Sequence, residues 1–204
     1  MEPANLEKLL GMRVFLTKGP GIGGKIKSAP EDFVVKEVLV DGFVASVNQV
    51  PAKEGLHGKG EYLLCLFVKR GWDTFRALES ISKLLKVGKR KLSVAGLKDA
   101  NAVTFQFLTI KGLKLKGVKV FSRGKVKLFP LKLVNEPLTS SLLLGNKFAV
   151  TVRDLSLSGG GALKAIASSL KEVEEVGGVP NFFGHQRFGT IRPVTRSGCT
   201  SAMR

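Results

Sequence analysis

The chain's best candidate for chemistry is a carboxylate beside an amine on a glycine-containing turn, Gly96-Leu97-Lys98-Asp99. Leu92-Ser93-Val94 before it and Val103 to Ile110 after it read as strands. Alternation in the second strand puts Phe105, Phe107 and Thr109 on one face and Thr104, Gln106 and Leu108 on the other. A carboxylate on a loop clamped between two strands is both fixed and exposed, as a nucleophile or general base must be. The residues alone leave a solvated turn acid as the competing reading.

The other Asp residues have structural roles in the sequence. Asp41-Gly42 lies between Val38-Leu39-Val40 and Phe43-Val44, a hairpin signal. Asp73 precedes Thr74-Phe75-Arg76-Ala77-Leu78 as a helix N-cap. Asp32 follows Pro30-Glu31 at the entry to a strand, and Asp154 closes the strand Lys147 to Arg153. Asp99 is left without such a role.

The surroundings are strongly basic. Lys and Arg number 33 against 16 Asp and Glu, a net charge of +17, which favours a polyanionic partner such as nucleic acid. A membrane fits less well, because the longest apolar run, Leu63 to Val68, is too short to span one. With Glu2 and Glu7 and no apolar segment, the N-terminus does not read as a signal peptide. Cys65 and Cys199 are isolated, which points to no disulfide framework, no zinc site and a reducing cytoplasm. His57 has no partner His or Cys nearby, so no metal ligand is assigned. The run Thr17 to Gly24 lacks the Gly-Lys-Ser/Thr ending of a phosphate loop and reads as a flexible lead-in to a strand Lys25-Ile26-Lys27.

Two basic stretches are candidates for phosphate contact. One is the cluster ending in Lys89, Arg90 and Lys91. The other, Lys111 to Lys132, has eight basic residues and no acid. There Lys114, Lys116, Lys119, Lys125 and Lys127 alternate with apolar residues, so the cations share a sheet face or edge. Lysines guarding an edge strand against aggregation are the alternative.

These sites require a scaffold of strands and helices. Helical spacing predicts a short helix over Asn5 to Met12 and a second after Asp73, with Phe75, Leu78, Ile81 or Ser82, and Leu85 facing the core. A third runs from Ala162 to Val176 behind Gly159-Gly160-Gly161, with Leu163, Ile166, Ala167, Leu170 and Val173 as its buried stripe, and stops at Gly177-Gly178 and Pro180. Strands are expected at Phe33 to Val40, Phe43 to Val47, Glu61 to Lys69 and Asn146 to Arg153, with a loop from Asn48 to Gly60. This order predicts an α+β fold, a mainly antiparallel mixed sheet with helices on one face.

Four blocks of sequence carry a resemblance. Gly96-Leu97-Lys98-Asp99 with Ala102, Thr104 and Gln106 resembles the G-x-K-D-x-x-A-x-T-x-Q signature of TruD-type RNA pseudouridine synthases. Lys27 to Glu37 resembles that family's K-x-x-P-E-D-F-x-V-x-E block, and Gly145-Asn146-Lys147-Phe148 its G-N-x-F block. Gly178 to Gly189 is similar to G-x-P-N-Y-F-G-x-Q-R-F-G, with Phe182 in place of the tyrosine. The blocks occur in the family's order.

The resemblance implies a pseudouridine synthase catalytic fold acting on tRNA, at uridine 13 in the family. The family breaks the bond from ribose to uracil N1 and rejoins the base through C5, without metal or other cofactor. By the same resemblance Asp99 is the essential carboxylate, as nucleophile or as base. Lys27 is its first-choice cationic partner and Arg187 the second, Phe148 stacks on the uracil, and Asn146 positions it. Gln186 and Asn181 are supporting.

Residues 1–189 then correspond to the N-terminal part of a catalytic domain. Residues 190–204 begin in the family's manner and end in a short tail, Arg196 to Arg204, expected to be irregular. An apparently incomplete catalytic sheet is the expectation, with a catalytically incomplete RNA-binding fragment as the alternative function. The isolated chain is expected to be aggregation-prone and without turnover.

Overall fold

The computed structural model describes residues 8, 15–19, 21–50, 58–113 and 120–180. The chain divides into two compact units, residues 25–153 and residues 1–24 with 154–204.

The larger unit is a mixed sheet of strands β1 (Phe33–Leu39), β2 (Tyr62–Arg70), β3 (Leu92–Val94), β4 (Val103–Lys111), β5 (Phe121–Arg123), β6 (Val126–Val134) and β7 (Leu143–Val150). The order is β5-β6-β2-β4-β1-β7, with β3 also on β4. β1 and β4 run parallel, and the other pairings are antiparallel. Every residue of β2 pairs with β4, from Tyr62 opposite Lys111 to Arg70 opposite Val103. On its other side β4 is shared: β1 takes Val103 to Phe105 and β3 takes Leu108 to Ile110.

Helix α1 (Thr74–Leu85) starts where Asp73 Oδ1 accepts the Arg76 N–H at 2.9 Å and ends at Lys86 in a left-handed conformation, φ 53°. Its Ala77 and Ile81 pack on the face made by Leu63, Cys65, Phe67, Leu108, Ile110, Val126 and Leu128. The opposite face, with Leu64, Leu66, Phe107 and Leu131, is covered by connecting segments that supply Ala45 and Leu138. Burial pushes the Cys65 thiol up, so this cysteine is an inert core residue. Pro130 sits inside β6 where the register with β2 shifts, a position that tolerates the lost N–H.

The smaller unit contains helix α2 (Gly159–Glu175), capped by Ser158, whose Oγ accepts the Gly161 N–H at 3.4 Å. Gly177 and Gly178, φ 81° and 136°, end it, with the Gly178 N–H returning to Val173 O at 3.0 Å. No helix among the described residues is long and apolar enough to cross a membrane.

Several expectations are corrected. Phe75 is 68% exposed, because Thr74, Ala77 and Ile81 define the buried side of α1 and Phe75 lies off it. In α2 the buried residue is Ala162, while Leu163 and Leu170 are exposed. The segment 15–19 lies on another side of that helix, with the Lys18 N–H on Glu172 at 2.7 Å. The α2 glycines, read as a lead-in, form its first turn. Phe43 to Val47 turns back at Asp41-Gly42 but makes only the bridge of Val44 to Val38, while β7 pairs along β1. Lys25 to Lys27 is likewise no strand beyond the bridge of Lys25 to Arg153, because Lys27 adopts φ 58°. The last strand runs Leu143–Val150, starting earlier and ending earlier than alternation suggested. The helix expected over Asn5 to Met12 lies outside the described residues except at Lys8.

Phe67 is fully buried between sheet and helix, so Phe67→Ala should cost about 3–5 kcal/mol in urea unfolding. Phe75→Ala should stay within about 0.5 kcal/mol of wild type, as an exposed position does. Comparable losses at both positions would refute the assignment of the α1 faces.

Candidate active site

Sharing one side of β4 between two strands leaves a gap. β1 stops pairing at Phe105 and β3 starts at Leu108, so Phe107 has no strand partner on that side for its N–H. The fully buried Glu37 side chain supplies one, accepting the Phe107 N–H on Oε2 at 2.7 Å. Its Oε1 takes the Lys98 ammonium at 2.6 Å. Gln106 donates from Nε2 to Gly96 O at 3.0 Å and accepts the Thr104 hydroxyl at 3.3 Å. The loop Ala95 to Asn101 is thus bolted to the sheet through that gap.

The next anchor lies on β2. Lys69 is fully buried, and its ammonium donates to Trp72 O at 2.8 Å, Lys98 O at 3.3 Å and Asp99 O at 2.7 Å. Burial pushes this amine down to about 8; the charges of Asp99 and Asp73 oppose the shift and Lys98 adds to it. Thr74, the first residue of α1, accepts the Lys98 N–H at 3.1 Å. Held on both sides, the loop turns Lys98 inward and leaves the Asp99 side chain 46% exposed.

Asp99 Oδ2 meets the Lys27 ammonium at 3.1 Å. Lys27 comes from the segment before β1, and its left-handed backbone costs roughly 1–2 kcal/mol for a non-glycine residue. Asn101 Nδ2 offsets part of that by donating to Lys27 O at 2.9 Å. The same ammonium sits 4.0 Å above the Phe33 ring, and Phe33 lies 5.8 Å from Phe148 on the neighbouring strand. Phe148 is 59% exposed, an aromatic face open to solvent beside the acid–amine pair. Asn146 stands two residues along β7 on the same sheet face, opposite Glu37. Asp32 anchors the turn ahead of β1: Oδ2 accepts the Ala29 N–H at 2.9 Å, and Arg153 clamps the carboxylate at 2.8 and 2.9 Å, holding it below the usual carboxylate range.

Asp99, Lys27, Phe148 and Asn146 therefore converge on one region. Arg187, Lys114, Lys116 and Lys119 lie outside the described residues. Lys125 and Lys127 are exposed on the β5–β6 hairpin, where Lys125 O accepts the Arg70 N–H at 2.9 Å, so the hairpin tip is at the Asp99 end of the sheet. Lys89, Arg90 and Lys91 are exposed on a turn ahead of β3, next to Ile110. That turn is the opposite end of β4, roughly 20 Å along the strand. It is not part of the cluster around Asp99, although a polynucleotide could span both. Among the described residues no group of His, Cys, Asp or Glu could hold a metal.

Sequence reasoning missed Glu37, Lys69, Gln106, Thr74 and Asn101. A charged residue inside an apolar strand run, as Lys69 is in Leu63 to Lys69, was the available signal. Alternation placed Gln106 and Thr104 on one face but could not say what they hold.

The fully buried amine has a measurable consequence. An unfolded Lys keeps its proton up to about pH 10.4. The folded amine loses it near pH 8. Between these values the unfolded chain binds more protons, so stability should rise with pH across the window, with no such contribution below it. The difference in unfolding free energy between wild type and Lys69→Met should climb in favour of wild type by on the order of 3 kcal/mol from pH 8 to 10.5. A difference independent of pH would show that the amine is not desolvated.

The chain is similar in sequence and fold to known proteins. The family model for tRNA pseudouridine synthase D (TruD) matches residues 9–198. A Methanococcoides burtonii protein described as "Probable tRNA pseudouridine synthase D" is 35% identical over 191 residues, covering 94% of this chain and 40% of that one. A Pyrococcus furiosus protein with the same description is 36% identical over 183 residues, covering 88% and 39%. The crystal structure of a TruD-family protein from Methanosarcina mazei superposes with a TM-score of 0.80 at 32% identity, over 96% of this chain and 42% of that one. The chain spans about two-fifths of the length of these relatives. With sequence and fold matched over nearly the whole chain, it belongs to the TruD family of tRNA pseudouridine synthases.

Proposed function

We propose that the protein isomerises a uridine of tRNA to pseudouridine, with Asp99 as the essential carboxylate. The observation that carries this reading is the half-exposed Asp99 carboxylate on the Lys27 ammonium at 3.1 Å, beside the open ring of Phe148. The similarity to proteins described as tRNA pseudouridine synthase D supports the substrate class. The resemblance of the four sequence blocks supports uridine 13 as the target.

In this reading the uridine leaves its stack and lies on Phe148, with Asn146 offering a donor and an acceptor to the base. Asp99 then acts in one of two ways: it attacks the anomeric carbon as uracil departs with the electrons of the N1 bond, or it takes a ribose proton and the base is eliminated. The freed base turns and C5 bonds to the anomeric carbon, displacing the Asp99 carboxylate in the first route or with Asp99 returning the ribose proton in the second; the C5 proton is lost and N1 gains one. No electrons enter or leave the reaction. Both routes use an ionised Asp99, and Lys27 gives that carboxylate a counter-ion. Phe33 confines the Lys27 ammonium to this position through the ring contact.

Tritium release from uracil C5 in tRNA tests the assignment directly. Asp99→Asn should lower turnover by about 10² to 10⁴-fold with tRNA affinity within about twofold of wild type. Substantial turnover in that variant would remove Asp99 from the role. Phe148→Ala should also reduce turnover, by the loss of about 1–3 kcal/mol of stacking. A chain that binds tRNA and releases no tritium would favour the RNA-binding reading.

The exposed lysines of the β5–β6 hairpin give a separate outcome. Lys125→Ala should weaken binding alike across RNA sequences and lower the slope of log affinity against log salt by about one. A sharp change in sequence preference would mean base contact instead of phosphate contact.

A further inference from the structure

The proposed chemistry depends on where the Asp99 backbone stands, and that position traces to a residue the reaction itself does not use. Lys69 is on β2 opposite Thr104, in the body of the sheet, so its stem is held by a paired strand. Its ammonium has no carboxylate within ion-pairing range among the described residues. All three donors instead go to main-chain carbonyls: Trp72 O in the turn after β2, and Lys98 O and Asp99 O in the loop. A buried lysine without a direct counter-ion is costly, and an apolar residue of the same volume would be the more stable choice for packing alone. The loop carbonyls need a donor on this side, because no strand pairs with them and the group they face, Lys69, is itself fully buried.

We infer that Lys69 is a positioning residue of the pseudouridine synthase site: its ammonium acts as a fixed cation under the loop, gathering the carbonyls of Trp72, Lys98 and Asp99 so that the Asp99 side chain projects to Lys27. The inference rests on the reading of Asp99 as the essential carboxylate. The groups that face the ammonium agree with the role. Asp99 and Asp73 favour its charge, Lys98 opposes it, and Lys98 is itself neutralised by Glu37 at 2.6 Å. Two consecutive loop carbonyls on one nitrogen fix the two peptide planes that flank the Asp99 Cα, and with them the direction in which the Asp99 side chain leaves the backbone. Thr74 accepts the Lys98 N–H at 3.1 Å from the helix side, so the peptide just before these two is held as well.

Lys69→Met keeps the stem and removes the cation. In the 204-residue chain, amide hydrogen exchange at neutral pH should show the peptide covering Ala95 to Asn101 exchanging about tenfold faster in the variant, with β2, β4 and β6 unchanged. An unchanged loop, or a whole sheet loosened equally, would overturn the proposal. If the variant does not fold, the wild-type chain labelled at the lysine side-chain nitrogens decides. A slowly exchanging ammonium with scalar couplings to the Trp72 and Asp99 carbonyl carbons supports the role, and a freely exchanging amine overturns it. In the tritium-release assay, kcat of Lys69→Met should fall about tenfold or more with KM within about twofold, because binding surface is kept while the acid is misplaced. A loosened loop with kcat intact would overturn the role in positioning. Turnover retained by Asp99→Asn strikes the proposed function instead and leaves the exchange result standing.

Discussion

The structure turns on the interrupted side of β4. Two strands cannot both pair with the same stretch, and between Phe105 and Leu108 neither does. An unsatisfied N–H in a buried sheet costs about 1–3 kcal/mol, so the gap must be filled or the sheet must rearrange. Glu37 fills it with a side chain, and a carboxylate there needs a cation within reach. Lys98 is that cation, and its position commits the loop that carries it to rise through the gap. Pairing geometry thereby dictates where Asp99 emerges.

The family-matching residues divide by this geometry. Of the block Gly96 to Gln106, Lys98, Thr104 and Gln106 are spent on holding the loop, and Asp99 is the carboxylate that reaches solvent. Of the block Lys27 to Glu37, Asp32 and Glu37 are structural anchors, Phe33 is a platform and Lys27 faces Asp99. Buried polar groups specify a single arrangement well when every member is satisfied, and no buried side-chain polar atom among the described residues lacks a partner. The strained backbone of Lys27 fits the same picture, since an unfavourable φ persists only where neighbours over-determine it.

Surface charge and apolar exposure are distributed unevenly around this centre. The β5–β6 hairpin brings Lys125 and Lys127 to the Asp99 end of the sheet, while Lys89 to Lys91 project from the other end of β4. β7 is an edge strand, and Leu144, Phe148 and Val150 on it are all exposed. Apolar residues on a free strand edge are normally covered or blunted. Phe148 has the further property of a neighbouring cation–ring pair, which distinguishes it from Leu144.

Much of the scaffold is determined by local sequence. Alternation in Val103 to Ile110, the apolar run within Glu61 to Lys69, the Asp73 cap and the Gly177-Gly178 stop each follow from side-chain pattern or backbone preference, and these elements formed within about a residue of where those rules put them. The misplaced Phe75 of α1 and the misplaced face of α2 show the limit, because a helix carries apolar residues on more than one side and only the neighbouring segment selects which is buried. Asp99 could be marked as a candidate from sequence, by elimination among the Asp residues and by the resemblance of the block that carries it. Its surroundings could not. Lys27 is 72 positions away, Glu37 is 61 from Lys98, and Lys69 is 30 from the carbonyl it holds. Contacts across such separations depend on strand order and register, above all on the parallel pairing of β1 with β4, and that is a property of the assembled sheet.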